Sequence, residues 1–451
     1  MTPIRNSRRT FLKSAGMTAL VGAVTGSSSR ATARGALWEA PADELFDFET
    51  PYSRVGTHCI KWDRQIEKFG KDNIMVGMGI ADMDFPAAPC ITRALAERCH
   101  HENWGYLEIP DSYIESIVAW NKKRYGLDID PDTIVLSNGV HPALIAALHT
   151  FSPPGSKVLL TTPTYNGFYS DLTYCNVQPE DSPMKLVNGR YSIDFDDLES
   201  RISHDTHTLI LCNPQNPTGN CWSAEDLMKL GELCLKRRVV VLADEIHCDF
   251  VNKGEKYTPF ASLPDKEIVD NSLTFKAASK TFSLAAMKSA WFFSTNPDYL
   301  ARVKANHRAD VNTLGLVANQ AALTEGESWL DQLLVYIDGN HAFVENYIKD
   351  NMPLVQYTKA EGTYLAWLDV GQVIDRIDAK KKAAEASKTA DTPVTPTTIV
   401  EKWFVENAKV QLNPGASYGT GGEDHMRMNL GTSRKLIELA LDNMAAALKN
   451  V

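Results

Sequence analysis

The sequence predicts an α/β protein: a mostly parallel sheet with helices on both faces. Two observations predict it. Four short apolar, β-branched runs are each bounded by turn residues, which is the pattern of buried parallel strands, and a fifth strand-like stretch precedes Lys280. Longer helix-like segments lie between them, such as Ser223-Ala-Glu-Asp-Leu-Met-Lys-Leu-Gly-Glu-Leu-Cys, and strands alternating with helices imply crossover connections.

In chain order, Asp132-Thr-Ile-Val-Leu-Ser-Asn-Gly-Val ends in Ser137, Asn138 and Gly139, and a helix is expected over Pro142-Ala-Leu-Ile-Ala-Ala-Leu. Lys157-Val-Leu-Leu-Thr-Thr-Pro-Thr-Tyr-Asn-Gly ends in Pro163 and Tyr165. Thr206-His-Thr-Leu-Ile-Leu-Cys-Asn-Pro-Gln-Asn-Pro-Thr-Gly ends in Asn216, Pro217 and Gly219. Val239-Val-Val-Leu-Ala-Asp-Glu-Ile-His ends in Asp244 and His247. The last run leads into Thr274-Phe-Lys-Ala-Ala-Ser-Lys-Thr-Phe-Ser-Leu, with Lys280 just beyond it. Ligands of such sheets bind beyond the carboxyl ends of the strands. All these chemistry-bearing residues fall at such ends.

An isolated lysine is usually a solvated surface charge. Here Asn213-Pro-Gln-Asn-Pro-Thr-Gly, Asp244-Glu-Ile-His, Ser279-Lys280 and Arg427 follow one another in order. In combination they resemble a fold-type I pyridoxal-phosphate (PLP) enzyme of the class I/II aminotransferase superfamily. Further segments resemble its MalY/PatB branch, the cystathionine β-lyase-like C–S lyases: Arg54-Val-Gly-Thr-His-Cys-Ile-Lys-Trp-Asp, Ala81-Asp-Met-Asp-Phe, Thr363-Tyr-Leu-Ala-Trp-Leu-Asp and Arg427-Met-Asn. The resemblance runs from about Phe46 to the C-terminus. It implies a large PLP domain over roughly 96–318 with a seven-stranded-type sheet. It also implies a smaller α+β domain combining residues 34–95 with 319–451.

The resemblance assigns roles. Lys280 would form a Schiff base with the aldehyde cofactor and then move the substrate Cα proton, which requires a neutral amine. Asp244 would pair with the pyridinium nitrogen, Asn216 would donate to the phenolic oxygen, and Tyr165 would stack on the ring. His247 would lie on the phenolic side, in a structural or a chemical role. A metal held by His247 and Asp249 is disfavoured, since no third ligand has metal-like spacing. The phosphate would meet Gly139, Val140 and His141 at a helix N-terminus. Ser279 would add a hydroxyl, as would Tyr106 from a neighbouring subunit, making the protein a homodimer. Two departures are visible: Ala277 stands where many relatives have Ser, and Lys288 where aminotransferases usually have Arg. Lysine is a point charge where arginine offers a fork, so the phosphate cradle would be looser. Arg427 would clamp the substrate carboxylate bidentately. His58 and Trp104 are further candidates for the substrate pocket, by resemblance alone.

The N-terminus carries an address. Asn6-Ser-Arg-Arg-Thr-Phe-Leu-Lys is a twin-arginine motif, followed by the apolar Ala15-Gly-Met-Thr-Ala-Leu-Val-Gly-Ala-Val and a cleavage-like Ala31-Thr-Ala33. The apolar stretch is too short to span a membrane and has signal-peptide flanks. Residues 1–33 are therefore expected to be a signal peptide read by the twin-arginine translocase, with the folded holoenzyme delivered to the periplasm.

The chain has 451 residues and is 44% hydrophobic, normal for a globular protein. Residues 1–33 hold five basic and no acidic side chains, so their removal would take the formal charge from −10 to −15. That argues against nucleic-acid partners and anionic membranes. All eight cysteines precede residue 250 without paired metal-type spacing, and mostly free thiols are expected. Segment 378–396 has a lysine-rich start that suits a helix and a Pro/Thr-rich end, and it reads as an exposed, partly disordered insertion.

Three functions remain open on the sequence. One is C–S β-elimination from an amino acid, giving thiol, pyruvate and ammonia. A second is transamination of an amino acid or a secreted peptide or siderophore precursor, which export would suit. The third, a non-catalytic PLP-binding protein, is disfavoured by the intact Lys280, Asp244, Asn216 and Arg427.

Overall fold

Seven strands form the central sheet of the computed structural model, which describes residues 44–451. In chain order they are β1 (Val135–Ser137), β2 (Lys157–Thr162), β3 (Gln178–Pro183), β4 (Thr206–Cys212), β5 (Val240–Asp244), β6 (Ser272–Lys276) and β7 (Ala290–Phe293). Their order across the sheet is β1-β7-β6-β5-β4-β2-β3. Neighbours from β6 to β3 pair in parallel, and β7 alone runs antiparallel to both its neighbours. The five strands read from the sequence are all present. The expected signal peptide, residues 1–33, lies outside the described residues.

The two-residue period of a strand explains the layering. Val158, Leu160, Ile210, Cys212 and Leu242 enter one apolar cluster, against the helix Val140–Phe151. Their sequence neighbours Leu159, Leu209, Leu211, Val241 and Ala243 enter another, against the helix Ala224–Arg237. Because both faces are covered, these runs read as continuous hydrophobic stretches. Ser223 caps the second helix, accepting from Asp226 N at 3.0 Å.

A third cluster joins Cys59–Met78 to the C-terminal third, including Val344, Ala366, Phe404 and Met428. Val76–Gly77 pairs in parallel with Val410–Gln411. An antiparallel sheet of Leu365–Asp369, His425–Asn429 and Asn413–Pro414 stands beside it. The helix Glu327–Asn351 passes between clusters, burying Leu330, Leu333 and Ile337 in one and Val344 and Ile348 in the other.

Segment 378–396 is mostly exposed and begins with a helix. Ala379–Ser387 is a helix whose Ala379 and Ala383 are buried, while Lys380, Lys381 and Lys382 are exposed. Ser387 ties the Pro/Thr stretch back, its Oγ accepting from Val394 N at 2.9 Å. Alanines at i, i+4 form the apolar stripe by which this helix packs. All eight cysteines are unbridged, and only Cys99 is exposed. Among the described residues, no helix is long and apolar enough to cross a membrane.

Candidate active site

The carboxyl ends of β1, β2, β4, β5 and β6 converge on a cavity of about 400 Å³. Lys280, Asp244, Asn216, Tyr165, His247, Gly139, Val140, His141, Ser279 and Lys288 all line it. The sequence-predicted set is thus brought together, with two exceptions. Arg427 is attached to the set through Asn216. Tyr106 is fully exposed and lies on a separate surface hollow beside Val311 and Asn312. Trp104 shares that hollow, and His58 is exposed away from the cavity.

Lys280 sits on the short helix Ala278–Thr281, and its Nζ donates to Ala81 O at 3.0 Å. Burial, reinforced by the Arg427 guanidinium, brings its ammonium down to about 8. Asp244 ends β5 and accepts from Ile246 N at 3.1 Å. Burial pushes its carboxyl up to about 6, against the pull of that amide and of His141 and Lys280. Two oppositely charged groups therefore share a space that disfavours charge on both.

Arg427 is buried on strand His425–Asn429. Its Nη1 donates to Asn216 Oδ1 at 3.1 Å and its Nη2 to Gly79 O at 2.7 Å, while Nε is buried without a partner. Its guanidinium carbon lies 5.1 Å from the centre of the Tyr418 ring. His247 is buried, its Nδ1 has no partner, and its ring meets Tyr364 edge-on at 5.9 Å. Burial, with Lys280 and Arg427 adding to it, drives the His247 imidazolium well below its ordinary range, so the ring is neutral. Asp249 faces elsewhere: it accepts from Thr281 Oγ1 at 2.6 Å, from Trp120 Nε1 at 3.3 Å and from the Tyr125 hydroxyl. Among the described residues, no three metal-type side chains cluster.

At the other end, Gly139 precedes the helix Val140–Phe151, whose N-terminal residues line the cavity and whose first N–H groups have no partner within the helix. Asn138 Oδ1 is buried there without a partner. Lys288 lines the cavity while remaining exposed, in a left-handed conformation at φ 52°.

Sequence reasoning missed the segment Gly79–Asp84 as part of the site. Ala81 O accepts from Lys280 and, at 3.1 Å, from the Tyr364 hydroxyl. Asp82 Oδ1 accepts from Ser283 Oγ at 2.8 Å, and Asp82 Oδ2 pairs with Arg54 at 2.6 Å. Asp84 pairs with the fully buried Lys61 at 2.7 Å and accepts from Trp62 Nε1 at 3.0 Å. The signal was present, since Arg54, Lys61, Trp62 and Asp82 lie in the two N-terminal segments that carried the resemblance. Their meeting over Lys280 is a long-range contact that no local pattern encodes.

A parallel sheet whose strand ends hold a depressed lysine, a buried aspartate and a helix N-terminus defines an enzyme of the fold-type I, aminotransferase-like class. The family model for aminotransferase class I and II matches residues 73–444, and the chain belongs to that family. It is 37% identical to cystathionine beta-lyase PatB of Bacillus subtilis, over 89% of this chain and 100% of that protein. It is 28% identical to Protein MalY of Escherichia coli, over 90% of this chain and 100% of that protein. Among solved structures, cystalysin of Treponema denticola, which contains a pyridoxal 5'-phosphate cofactor, superposes with a TM-score of 0.82. It is 28% identical, covering 90% of this chain and 100% of that one.

Proposed function

We propose that this protein is a PLP-dependent C–S β-lyase that cleaves a small sulfur-bearing amino acid into a thiol, pyruvate and ammonia. The observation that carries the reading is the buried Lys280–Asp244 pair at the strand ends, in a chain matching a cystathionine beta-lyase over that protein's full length.

The residues fit the cofactor. The cavity offers an amine for its aldehyde, a carboxylate for its ring nitrogen and free helix N–H groups for its phosphate. The orphaned Asn138 Oδ1 and His247 Nδ1 mark buried polar positions still wanting partners. When bound, PLP supplies an electron sink for the charge released at the substrate Cα. Asp244 would keep a proton on the ring nitrogen, because an ionised buried carboxylate is stabilised by a cation beside it. Arg427 would receive the substrate carboxylate through its unpartnered Nε and the second N–H of an Nη, both Nη atoms already donating to Asn216 or Gly79. Lys280, neutral for much of the time near pH 8, takes the Cα proton. Tyr165 would stack on the ring, and Ser279 and Lys288 would hold the phosphate, all three lining the cavity.

We further propose that the chain works as a homodimer in which Tyr106 serves the partner's cavity, supported by its full exposure outside its own. Export by the twin-arginine route to the periplasm is the reading of Arg8 and Arg9. Fractionation of cells expressing the wild type and an Arg8→Lys, Arg9→Lys variant tests it, since the variant is expected to stay inside.

The reaction is tested with purified holoenzyme and two substrates. Pyruvate and thiol from L-cystathionine, with none of the keto acid from L-glutamate, is the lyase result. Keto acid from glutamate without thiol release from cystathionine would make it an aminotransferase, for which the same side chains would serve.

A further inference from the structure

One wall of the cavity holds a hydrogen-bonded chain that the roles above leave unused. His141 Nε2 lies 3.3 Å from the Tyr165 hydroxyl, and His141 Nδ1 lies 2.6 Å from the Asp171 carboxylate. Asp171 is buried on the helix Gly167–Tyr174. The two rings stand 5.6 Å apart at 49°. Gly167 makes this arrangement possible: a Cβ there would sit 2.4 Å from the Tyr165 ring and 2.8 Å from that of His141. Both rings face the cavity that holds Lys280, while the His141 side chain also keeps 44% of its surface open to solvent.

We propose that His141 and Asp171 form a solvent-fed proton relay to Tyr165, which protonates the sulfur leaving the substrate Cβ. The proposal rests on the lyase reading. As Lys280 takes the Cα proton, the electron pair left there becomes the second bond between Cα and Cβ. The Cβ–S bond breaks with its pair on sulfur, and sulfur takes the Tyr165 proton. His141 Nε2 then returns a proton to the phenolate oxygen and regains one from water.

The hydrogen bonds give this relay a direction. When His141 is charged, Nδ1–H donates to Asp171 and Nε2–H donates to the Tyr165 oxygen, leaving the phenol's own proton free for the cavity. When His141 is neutral, Nδ1–H stays on Asp171 and Nε2 accepts the phenol proton instead. The charged state is therefore the one that arms Tyr165. Asp171 favours it most strongly by its hydrogen bond and charge, Asp244 adds to it from across the cavity, and burial and Lys280 oppose it. Their balance lifts His141 above its ordinary range, keeping it charged nearer neutral pH. Lys288 also borders the cavity.

The test compares two leaving groups on the holoenzyme. Thiolate departure from L-cystathionine gains from an acid, whereas chloride departure from β-chloro-L-alanine does not. In Asp171→Asn and His141→Gln, the ratio of cystathionine to chloroalanine kcat is expected to fall about tenfold or more. Tyr165→Phe is expected to lower the same ratio, with no further drop when His141→Gln is added. An equal slowing of both substrates, or an unchanged ratio, overturns the proposal. A second readout is the NMR titration of the His141 imidazole, whose midpoint should drop in Asp171→Asn, and an unmoved midpoint also overturns it. If the wild type releases pyruvate from neither substrate, the lyase reading fails, and the proposal falls with it.

Discussion

At the scale of single residues, the site holds charges that the cofactor-free fold would be more stable without. Asp244 is the clearest. Its carboxyl titrates at about 6 in the folded protein, against about 3.9 in an unfolded chain. A raised folded pKa favours the fold below the unfolded value, and that advantage is lost as pH rises through 6. Cofactor-free Asp244→Asn is therefore expected to exceed the wild type in stability by about 2–3 kcal/mol at pH 7–8. The difference should vanish below about pH 4, as chemical denaturation across that range would reveal. Equal stability at pH 8 would mean that Asp244 carries no burial penalty. The same variant should bind PLP more weakly, the usual exchange of stability against function.

Lys280 titrates at about 8, and only its neutral form attacks an aldehyde. Covalent capture of PLP by the apoprotein, read by visible absorbance, should accelerate as pH rises from 7 to 9. Arg427 helps depress Lys280, so Arg427→Gln should move this profile to higher pH. A profile that stays in place, or moves down, would show that Arg427 does not act on Lys280.

At the scale of elements, Asp249 ties three pieces together. The turn after β5 carries it, the Lys280 helix donates Thr281, and the helix Asp111–Tyr125 donates Trp120 and Tyr125, with Arg124 at 3.4 Å. Removing a buried charge that satisfies several donors leaves them all stranded. Asp249→Ala is expected to cost about 3–5 kcal/mol in denaturant unfolding. Thr281→Val, which removes one bond of this set, should cost about 1–2 kcal/mol. A cost for Asp249→Ala below that of Thr281→Val would refute the clamp.

This is also the scale at which the sequence stops being legible. The strand ends were readable because a buried parallel strand is a continuous apolar run, and the residues at and just beyond its end border the crevice. That marked Asp244 at a strand end and Asn216 and Lys280 a few residues beyond one. In the central sheet, the antiparallel strand Ala290–Phe293 carries no mark of its direction. Asp171 and Gly167 carry no signal in the sequence, because their meaning depends on His141, which is brought in from another helix. Gly79–Asp84 reaches Lys280 and Arg427 across about two hundred residues or more of chain, and contacts of that range leave no local periodicity.

At the scale of the whole molecule, Tyr106 poses the remaining question. The segment 103–109 displays Trp104 half exposed and Tyr106 fully exposed, next to Val311 and Leu314. Two large aromatics side by side in water are a costly surface for a monomer and a useful one for an interface. In an isologous dimer each chain would lend its Tyr106 to the other's cavity. Subunit mixing tests this directly. Lys280→Ala chains lack the amine but carry an intact Tyr106, and Tyr106→Ala chains are the converse. In a mixed dimer, one cavity regains both residues and the other has neither. Unfolding and refolding the two inactive variants together should restore about a quarter of wild-type activity, since half of randomly assorted dimers are mixed and each holds one intact site. If Tyr106 served its own chain, every cavity in the mixture would lack one residue, and no activity would return. A Tyr106→Ala variant that is fully active alone would instead remove Tyr106 from the site altogether.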